Sequence, residues 1–285
     1  MGCLNSTGNF AHWFGNIHLS GPCNRACYFC IGQHMMALDP LNNLDVWPLV
    51  NLPRFVADCR AKNVSEVNLT GSNTDPLLYQ HHAELCAALR AELPGCKLGL
   101  RTNGVLASQR PDVWRLYDKA SVSVTSLNPE IYRATMGQGE PPNIAAILAL
   151  KPEMPVKVNV VLCPETVASG DIARTLDALA DAGVRVVNLR EPYGQPHIGT
   201  PLENPIGERL GMPRYAWRGM DVTYWDVHYV EVESVNLYAN GVVSETYPIT
   251  RGHAPNGKVL GQEHWKTSGR QHAQWLGMGN EKLTR

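Results

Sequence analysis

No stretch of the 285 residues comes near the ~18 apolar residues that a transmembrane helix requires. The first residues lack a basic start followed by an apolar run, so no secretory signal is expected. Charge is scarce and balanced. Lys and Arg total 25, Asp and Glu total 26, and the net charge at pH 7 is −1. With no basic excess to announce it, nucleic acid is not an expected partner. Phenylalanine occurs only 4 times, yet 44% of the residues are hydrophobic, which is ordinary for a chain that folds around a core. There is no low-complexity tract and no repeat beyond a strand–helix alternation. No cysteine follows Cys163, so the last part of the chain offers no thiolate ligand. The absences lead to a cytoplasmic globular protein of one large domain, or one domain with an appendage.

What the chain does have is Cys23, Cys27 and Cys30, at the spacing CxxxCxxC, in a loop that begins Gly21-Pro22. Three thiolates so placed can hold three corners of a [4Fe–4S] cube and leave the fourth iron without a protein ligand. Ordinary electron-carrying clusters use four cysteines, so three point to chemistry at the iron. A zinc site completed by His18 or His34 competes, although zinc sites usually show paired knuckles. A disulfide is weaker still, because Cys27 and Cys30 cannot both pair with Cys23 and nothing else suggests secretion. Cys59, Cys86 and Cys163 fall within apolar patterns and read as buried small hydrophobes. Met1-Gly2-Cys3 with Ser6 fits an N-myristoylation pattern, with Cys3 open to a second acyl chain. The pattern is short and matches often by chance.

Short β-branched runs alternate with longer helical ones. Strands are expected at Asn16–Ser20, Glu66–Thr70, Lys97–Arg101, Ser121–Thr125, Val156–Leu162 and Arg185–Leu189, with helices near 45–62, 76–92, 109–118, 140–150 and 167–182. This order implies an α/β fold with a parallel sheet and right-handed crossovers, and six units suit a partial (βα)6 TIM-like barrel. In such barrels the chemistry sits at the C-terminal ends of the strands, and the cysteine loop directly follows the first strand. Residues 192–214 are rich in Pro and Gly and read as an extended connection. Asp221–Tyr238 alternates as a strand would, and Asn240-Gly241 before Val242-Val243 signals a hairpin. The expected organisation is a tail over 1–14, a barrel over 15–192, and a β-hairpin-containing extension over 193–285 that covers the barrel mouth and ends in a short helix.

With the aromatic Phe29 just before its last cysteine, the loop resembles the signature of the radical S-adenosylmethionine (SAM) superfamily. The resemblance implies two cofactors, one [4Fe–4S] cluster and SAM. It implies that the open iron binds the amino and carboxylate groups of SAM. It further implies that the reduced cluster cleaves SAM to methionine and a 5′-deoxyadenosyl radical, which abstracts a hydrogen atom. The electron would come from a flavodoxin- or ferredoxin-type donor. Thr70–Pro76 stands where family members carry a Gly-Gly-Glu-type motif that receives the SAM amino group. Ser72-Asn73 replaces the usual Gly-Glu, and the contact is assigned to Gly71, Ser72, Asn73 or Asp75. Asp75 reads equally as a cap, with Pro76 opening the next helix. Asn103, within Thr102-Asn103-Gly104, stands where members line the pocket, although a turn alone would explain Asn-Gly. Ser123 and Thr125 are implied ribose or carboxylate contacts. Asn159 faces either the barrel interior or the helices; a ribose contact is favoured because an unpaired Asn in a strand is costly. Arg190 stands at an adenine-contacting segment or faces the substrate.

Residues Ala239–Thr246 and Val259–Gly261 faintly resemble the auxiliary-cluster (SPASM or twitch) extension of many members, but without its cysteines, so one cluster per chain is expected. Arg25 either neutralises the cluster or is solvated. Trp217, Tyr224, Trp225 and Tyr229 read as core packing ahead of a substrate cavity, and Arg251, His253 and Lys258 lie on a loop that would close over the substrate or stay solvated. The function implied is a tailoring or biosynthetic enzyme acting on a small molecule or peptide. Nucleotide or RNA modification by the same chemistry is the alternative, and a non-catalytic Fe–S or zinc interaction protein is the reading from another class.

Overall fold

The computed structural model describes residues 13–35, 41–226 and 233–245. Six strands, β1 (Phe14–Leu19), β2 (Glu66–Gly71), β3 (Lys97–Thr102), β4 (Lys119–Val124), β5 (Val156–Val161) and β6 (Val186–Arg190), lie side by side in chain order and pair in parallel. Every expected strand is present, with ends that differ by one or two residues. The helices are α1 (Gly32–Met35), α2 (Leu52–Ala61), α3 (His82–Glu92), α4 (Pro111–Arg115), α5 (Pro129–Met136), α6 (Ile144–Leu150), α7 (Pro164–Ala168) and α8 (Asp171–Asp181).

Local chemistry explains where the helices begin and break. Asn128 accepts from Glu130 N and Ile131 N ahead of Pro129, and Asn143 accepts from Ala146 N, so both act as N-caps. Asp75 accepts from Leu77 N, and the expected 76–92 helix opens as a single 3-10 turn, Pro76–Leu78, before α3. Gly170, at φ 64°, splits the expected 167–182 helix into α7 and α8. The expected 45–62 helix starts only at Leu52, after Asn51 at φ 59°.

The segment after β6 departs from the sequence reading. Within 192–214 lie β7 (Gly207–Arg209) and the start of β8 (Met212–Trp217), joined through Leu210 and Gly211 at φ 53° and 75°. Arg218 and Gly219, at φ 44° and 80°, join β8 to β9 (Met220–Trp225). Two successive positive-φ residues suit a tight hairpin turn, but Leu-Gly and Arg-Gly are weaker signals than Asn-Gly. Asp221–Tyr238 is not one strand. Its first part is β9, which pairs in parallel with β6. Its last part is β10 (Ser234–Leu237), which pairs in parallel with β1 at the other edge. The Asn240-Gly241 turn leads to β11 (Val243–Ser244), antiparallel to β10. The sheet order is β11-β10-β1-β2-β3-β4-β5-β6-β9-β8-β7. The expected C-terminal helix, the Gly2/Cys3 pattern, Tyr229, Arg251, His253, Lys258 and Val259–Gly261 lie outside the described residues.

Chain length forces this sheet to curl. From β9 to β10 the sheet takes seven strand spacings, about 34 Å if it were flat. Trp225 and Ser234 are nine residues apart and sit at opposite ends of their parallel strands. Nine residues reach about 30 Å. About 17 Å of that is needed to return along one strand, which leaves roughly 25 Å sideways. The sheet therefore bends its edges toward one another, as a barrel does.

The two faces differ in character, although Phe14 and Trp225 also fall on the inner one. One carries Ile17, Leu19, Val67, Leu69, Leu98, Leu100, Val122, Val124, Val158, Val160, Val187 and Leu189, all buried with helix side chains such as Phe55, Leu85, Leu89, Tyr132, Ile147 and Leu176. This is the core, outside the curl. The alternate positions, turned inward, are Asn16 and His18, Asn68 and Thr70, Arg101, Ser121 and Ser123, Lys157 and Asn159, Asn188 and Arg190, Thr223, Ser234 and Asn236.

Two outcomes test this division. In urea unfolding, Leu189→Ala should cost about 2–5 kcal/mol, whereas its neighbour Asn188→Ala should stay within about 1 kcal/mol; equal costs would refute two unlike faces. Burial also holds His18 down at about 4 and His82 at about 3. Between those values and about 6.5 the unfolded chain binds protons that the folded one does not, so stability should fall as pH drops through that window. His18→Gln should flatten the slope, read from urea midpoints between pH 4 and 7.

Candidate active site

The cysteine loop leaves the C-terminal end of β1 and is held chiefly by side chains from the β2 loop. Asn73 Oδ1 accepts from Ser20 Oγ at 2.9 Å and from Gly21 N at 3.0 Å, and Thr74 Oγ1 donates to the Pro22 carbonyl at 2.5 Å. Asn43 Oδ1 takes the Ser20 amide at 2.9 Å. Packing is close enough that a Cβ on Gly32 would lie 2.6 Å from Asn73 Cα and 2.7 Å from the Ser72 carbonyl oxygen. On the far side, Ala26 N donates to the Met136 carbonyl at the end of α5. Arg25 Nε donates to Tyr132 Oη at 3.1 Å, with its guanidinium over the Tyr132 ring. Arg25 is thus a brace between loop and helix rather than a free solvated charge, and its positive charge acts on the Cys27 thiol.

The three thiols share this loop. Cys23 is exposed, while Cys27 and Cys30 are half-buried. Burial, and then the neighbouring Cys30 and Cys23, push the Cys27 thiol up to about 12. Such a group gives up its proton only to a cation, as metal ligands do. Cys30 Sγ already accepts from Gly32 N at 3.3 Å. Asn24 Nδ2 is buried without a hydrogen-bond partner, beside Cys23. Among the described residues no three His, Cys, Asp or Glu groups converge on a single metal ion. Three thiols on one loop supply the donor set of a cube with one iron left open. His18 is not a loop ligand here, since it is buried at the inner face, stacked on Tyr238 and hydrogen-bonded toward Asn236. The residues fit a cluster.

The other expected contacts fall into two groups. Ser123 and Asn159 are register partners on the inner face, 3.5 Å apart between Oγ and Nδ2, in a row that continues to Asn188 and Thr223. Arg190 ends β6 on the same face. Asn103 joins the mouth, with Nδ2 donating to Asn24 Oδ1 at 2.7 Å. Several others are committed internally. Asp75 is buried and accepts from Leu77 N, Thr102 Oγ1 and Asn103 N, tying the β2 loop to the end of β3. Thr125 Oγ1 pairs with Thr135 Oγ1 of α5 at 2.6 Å. Asn73 holds the cysteine loop, and Ser72 N donates to the Leu19 carbonyl. Gly71 belongs to the turn itself, where a Cβ would lie 1.7 Å from the Thr74 carbonyl oxygen. Phe29 packs against the core, edge-on to Tyr28 at 5.5 Å. Trp217 and Tyr224 are buried in the core cluster.

The sequence reading named Tyr224 and set Glu191 beside Arg190 as facing the substrate, but it missed Tyr28, Glu165, His197 and Asp226. Tyr28 Oη donates to Glu165 Oε2 at 2.9 Å, linking the cysteine loop to α7. At the ends of β6 and β9, Tyr224 Oη bonds Glu191 Oε1 and His197 Nε2, each at 2.9 Å, and His197 lies 3.4 Å from Asp226. The hydrogen bond to Asp226 raises His197 against the opposing effect of burial. Alternation on β9 could have placed Tyr224, but nothing local in the sequence brings His197 to it.

The docking of the loop predicts its own failure. Gly32→Ala should lower iron retained per chain after anaerobic reconstitution several-fold, and Asn73→Ala less severely. Wild-type iron content in Gly32→Ala would show that the contact is dispensable.

The radical SAM superfamily profile matches residues 17–176, more than half of the chain. GTP 3′,8-cyclases of three Mycobacterium strains (KMS, JLS and MCS) are each 28% identical over 175 residues, covering 56% of this chain and 48% of theirs. The chain thus spans about half the length of the curated relatives it matches. The crystal structure of SuiB from Streptococcus suis superposes with a TM-score of 0.56 at 13% identity, over 83% of this chain and 60% of that one, a likeness of fold. The chain belongs to the radical SAM superfamily, and is an enzyme of that superfamily that uses a [4Fe–4S] cluster and SAM.

Proposed function

We propose that the enzyme cleaves SAM reductively and uses the resulting 5′-deoxyadenosyl radical to take a hydrogen atom from a small-molecule or peptide substrate held against the inner face of the sheet. The observation that carries this reading is the cysteine loop seated at the C-terminal ends of the strands, next to a polar inner row. When bound, the cluster and SAM supply the radical; the protein supplies position and exclusion of water. Cys23, Cys27 and Cys30 hold the cluster. Asn73, Thr74 and Arg25 keep the loop from shifting. The row Ser123, Asn159 and Asn188 offers hydroxyl and amide groups to the sugar of SAM, with Asn103 and Arg190 at its margin. Glu191, His197, Tyr224 and Asp226 form a hydrogen-bonded group that ties the ends of β6 and β9 together on the outer side of the sheet, since Tyr224 is the register partner of Leu189. We assign the electron to a flavodoxin- or ferredoxin-type donor in the cytoplasm. A free nucleotide substrate is the second reading, favoured by the partial likeness to GTP 3′,8-cyclases.

Anaerobic reconstitution with iron and sulfide, followed by dithionite and SAM, should give about four irons per chain, as a [4Fe–4S] site requires, and 5′-deoxyadenosine by mass. Cys27→Ala should abolish both. Zinc in the purified protein, with no 5′-deoxyadenosine, would sink the proposal.

A further inference from the structure

At the opposite, N-terminal end of the sheet lies a chamber of about 520 Å³ whose lining includes Arg101, Lys119, Ser121, Lys157 and Arg209. Arg101, Ser121 and Lys157 form one row on three adjacent strands, Ser121 being the register partner of both. Two strand spacings put Arg101 and Lys157 about 10 Å apart at Cα; the Arg101 guanidinium rests over the Phe14 ring, 5.6 Å from its centroid, and a ligand above Ser121 would draw it from that ring toward Lys157. Lys119 lies two residues before Ser121, on the same face. The lining carboxylates are Glu66 and Glu153. Glu66 is engaged by Lys119 and Asn68, and Glu153 is exposed at the rim. Among the described residues Arg101, Lys157 and Arg209 form no ion pair.

Such a cluster does not stabilise a fold. Burial, and then the charges of Arg101, Arg190, Arg209 and Lys119, push Lys157 down to about 7, so its amine is poorly solvated and has like charges as neighbours. A ligand anion would convert that repulsion into charge-assisted hydrogen bonds. The inner face also holds buried polar atoms without hydrogen-bond partners, Asn16 Oδ1 and Thr223 Oγ1, as expected of a surface that meets a ligand or water.

We propose that this chamber binds an oxyanion of the substrate, a phosphoryl or carboxylate group, between Arg101 and Lys157, with the Ser121 hydroxyl donating from below. The inference rests on the proposed function, because Arg101, Ser121 and Lys157 of the chamber wall belong to the inner face against which the substrate is proposed to lie. It makes the substrate an anionic small molecule anchored by its charged end, far from the cysteines.

The reconstituted enzyme would be titrated calorimetrically with inorganic pyrophosphate and with tricarballylate at fixed ionic strength. One saturable site is expected, weakened at least tenfold by Arg101→Met and by Lys157→Met and unchanged by Arg54→Gln at an exposed position of α2. Tighter pyrophosphate binding would assign a phosphoryl group, and tighter tricarballylate a carboxylate. A second measurement needs no variant. Limiting acetic anhydride at pH 7.5 should label Lys157 ahead of the surface lysines, and the bound anion should protect it. Absence of saturable binding by either probe, binding indifferent to both substitutions, or labelling that neither anion slows would each overturn the inference. If these occur while 5′-deoxyadenosine still forms, the anion site alone is lost. Absence of cluster and of 5′-deoxyadenosine would instead remove the proposed function beneath it.

Discussion

One side-chain amide anchors the entry to the cysteine loop. Asn73 takes one hydroxyl and one backbone donor from the residues that lead into the loop, and Gly32 lets the other end of the loop lie against the same residue. Three thiols gathered in a partly dry place repel metal-free ionisation, so the loop cannot rely on its own chemistry to stay in shape. Its order comes from neighbours: the β2 loop on one side, α5 through Tyr132 and Met136 on the other, and α7 through Glu165. The β2 loop is itself fixed by Asp75, whose buried carboxylate joins two strand ends by accepting from two backbone amides and one hydroxyl. The geometry at the mouth is thus inherited from the sheet, strand by strand.

The strands beyond β6 complete that sheet. β9 and β10 continue it in parallel on either edge, and the hairpins β7–β8 and β10–β11 end it. An open edge of a parallel sheet is a row of unpaired backbone donors and acceptors. Here the original edges, β1 and β6, are both covered by strands from the same chain, and the new edges are antiparallel hairpins with short outer strands.

Much of this was legible in the sequence, and the limits have physical causes. Six parallel strands could be read because each is a short β-branched run bounded by turn residues, and the Asn-Gly hairpin could be read because that dipeptide suits its turn. β9 and β10 could not be separated, because alternation records which residues share a face and says nothing of which strand lies beside them. The three cysteines declared themselves by spacing. The roles of Asn73, Thr125 and Asp75 did not, because a short polar side chain near a strand end has several partners in reach, and only the folded chain decides among them. Arg25 was read as a charge facing solvent or cluster, whereas its planar guanidinium was taken up by a tyrosine from α5. Lys157 was visible on the face of Asn159, but its crowding by Arg101, Arg190 and Arg209 depends on strands far apart in sequence.

The division of the sheet into an apolar outer face and a mainly polar inner one has a consequence for how such a protein can change. The residues that keep the chain folded and the residues proposed to meet a ligand alternate along the same strands and point to opposite faces. A substitution at Asn159, Ser121 or Asn188 leaves the packing of Val158, Val122 or Leu189 untouched. Selection can therefore redraw the interior for a new substrate one side chain at a time, while the scaffold behind it stays as stable as before.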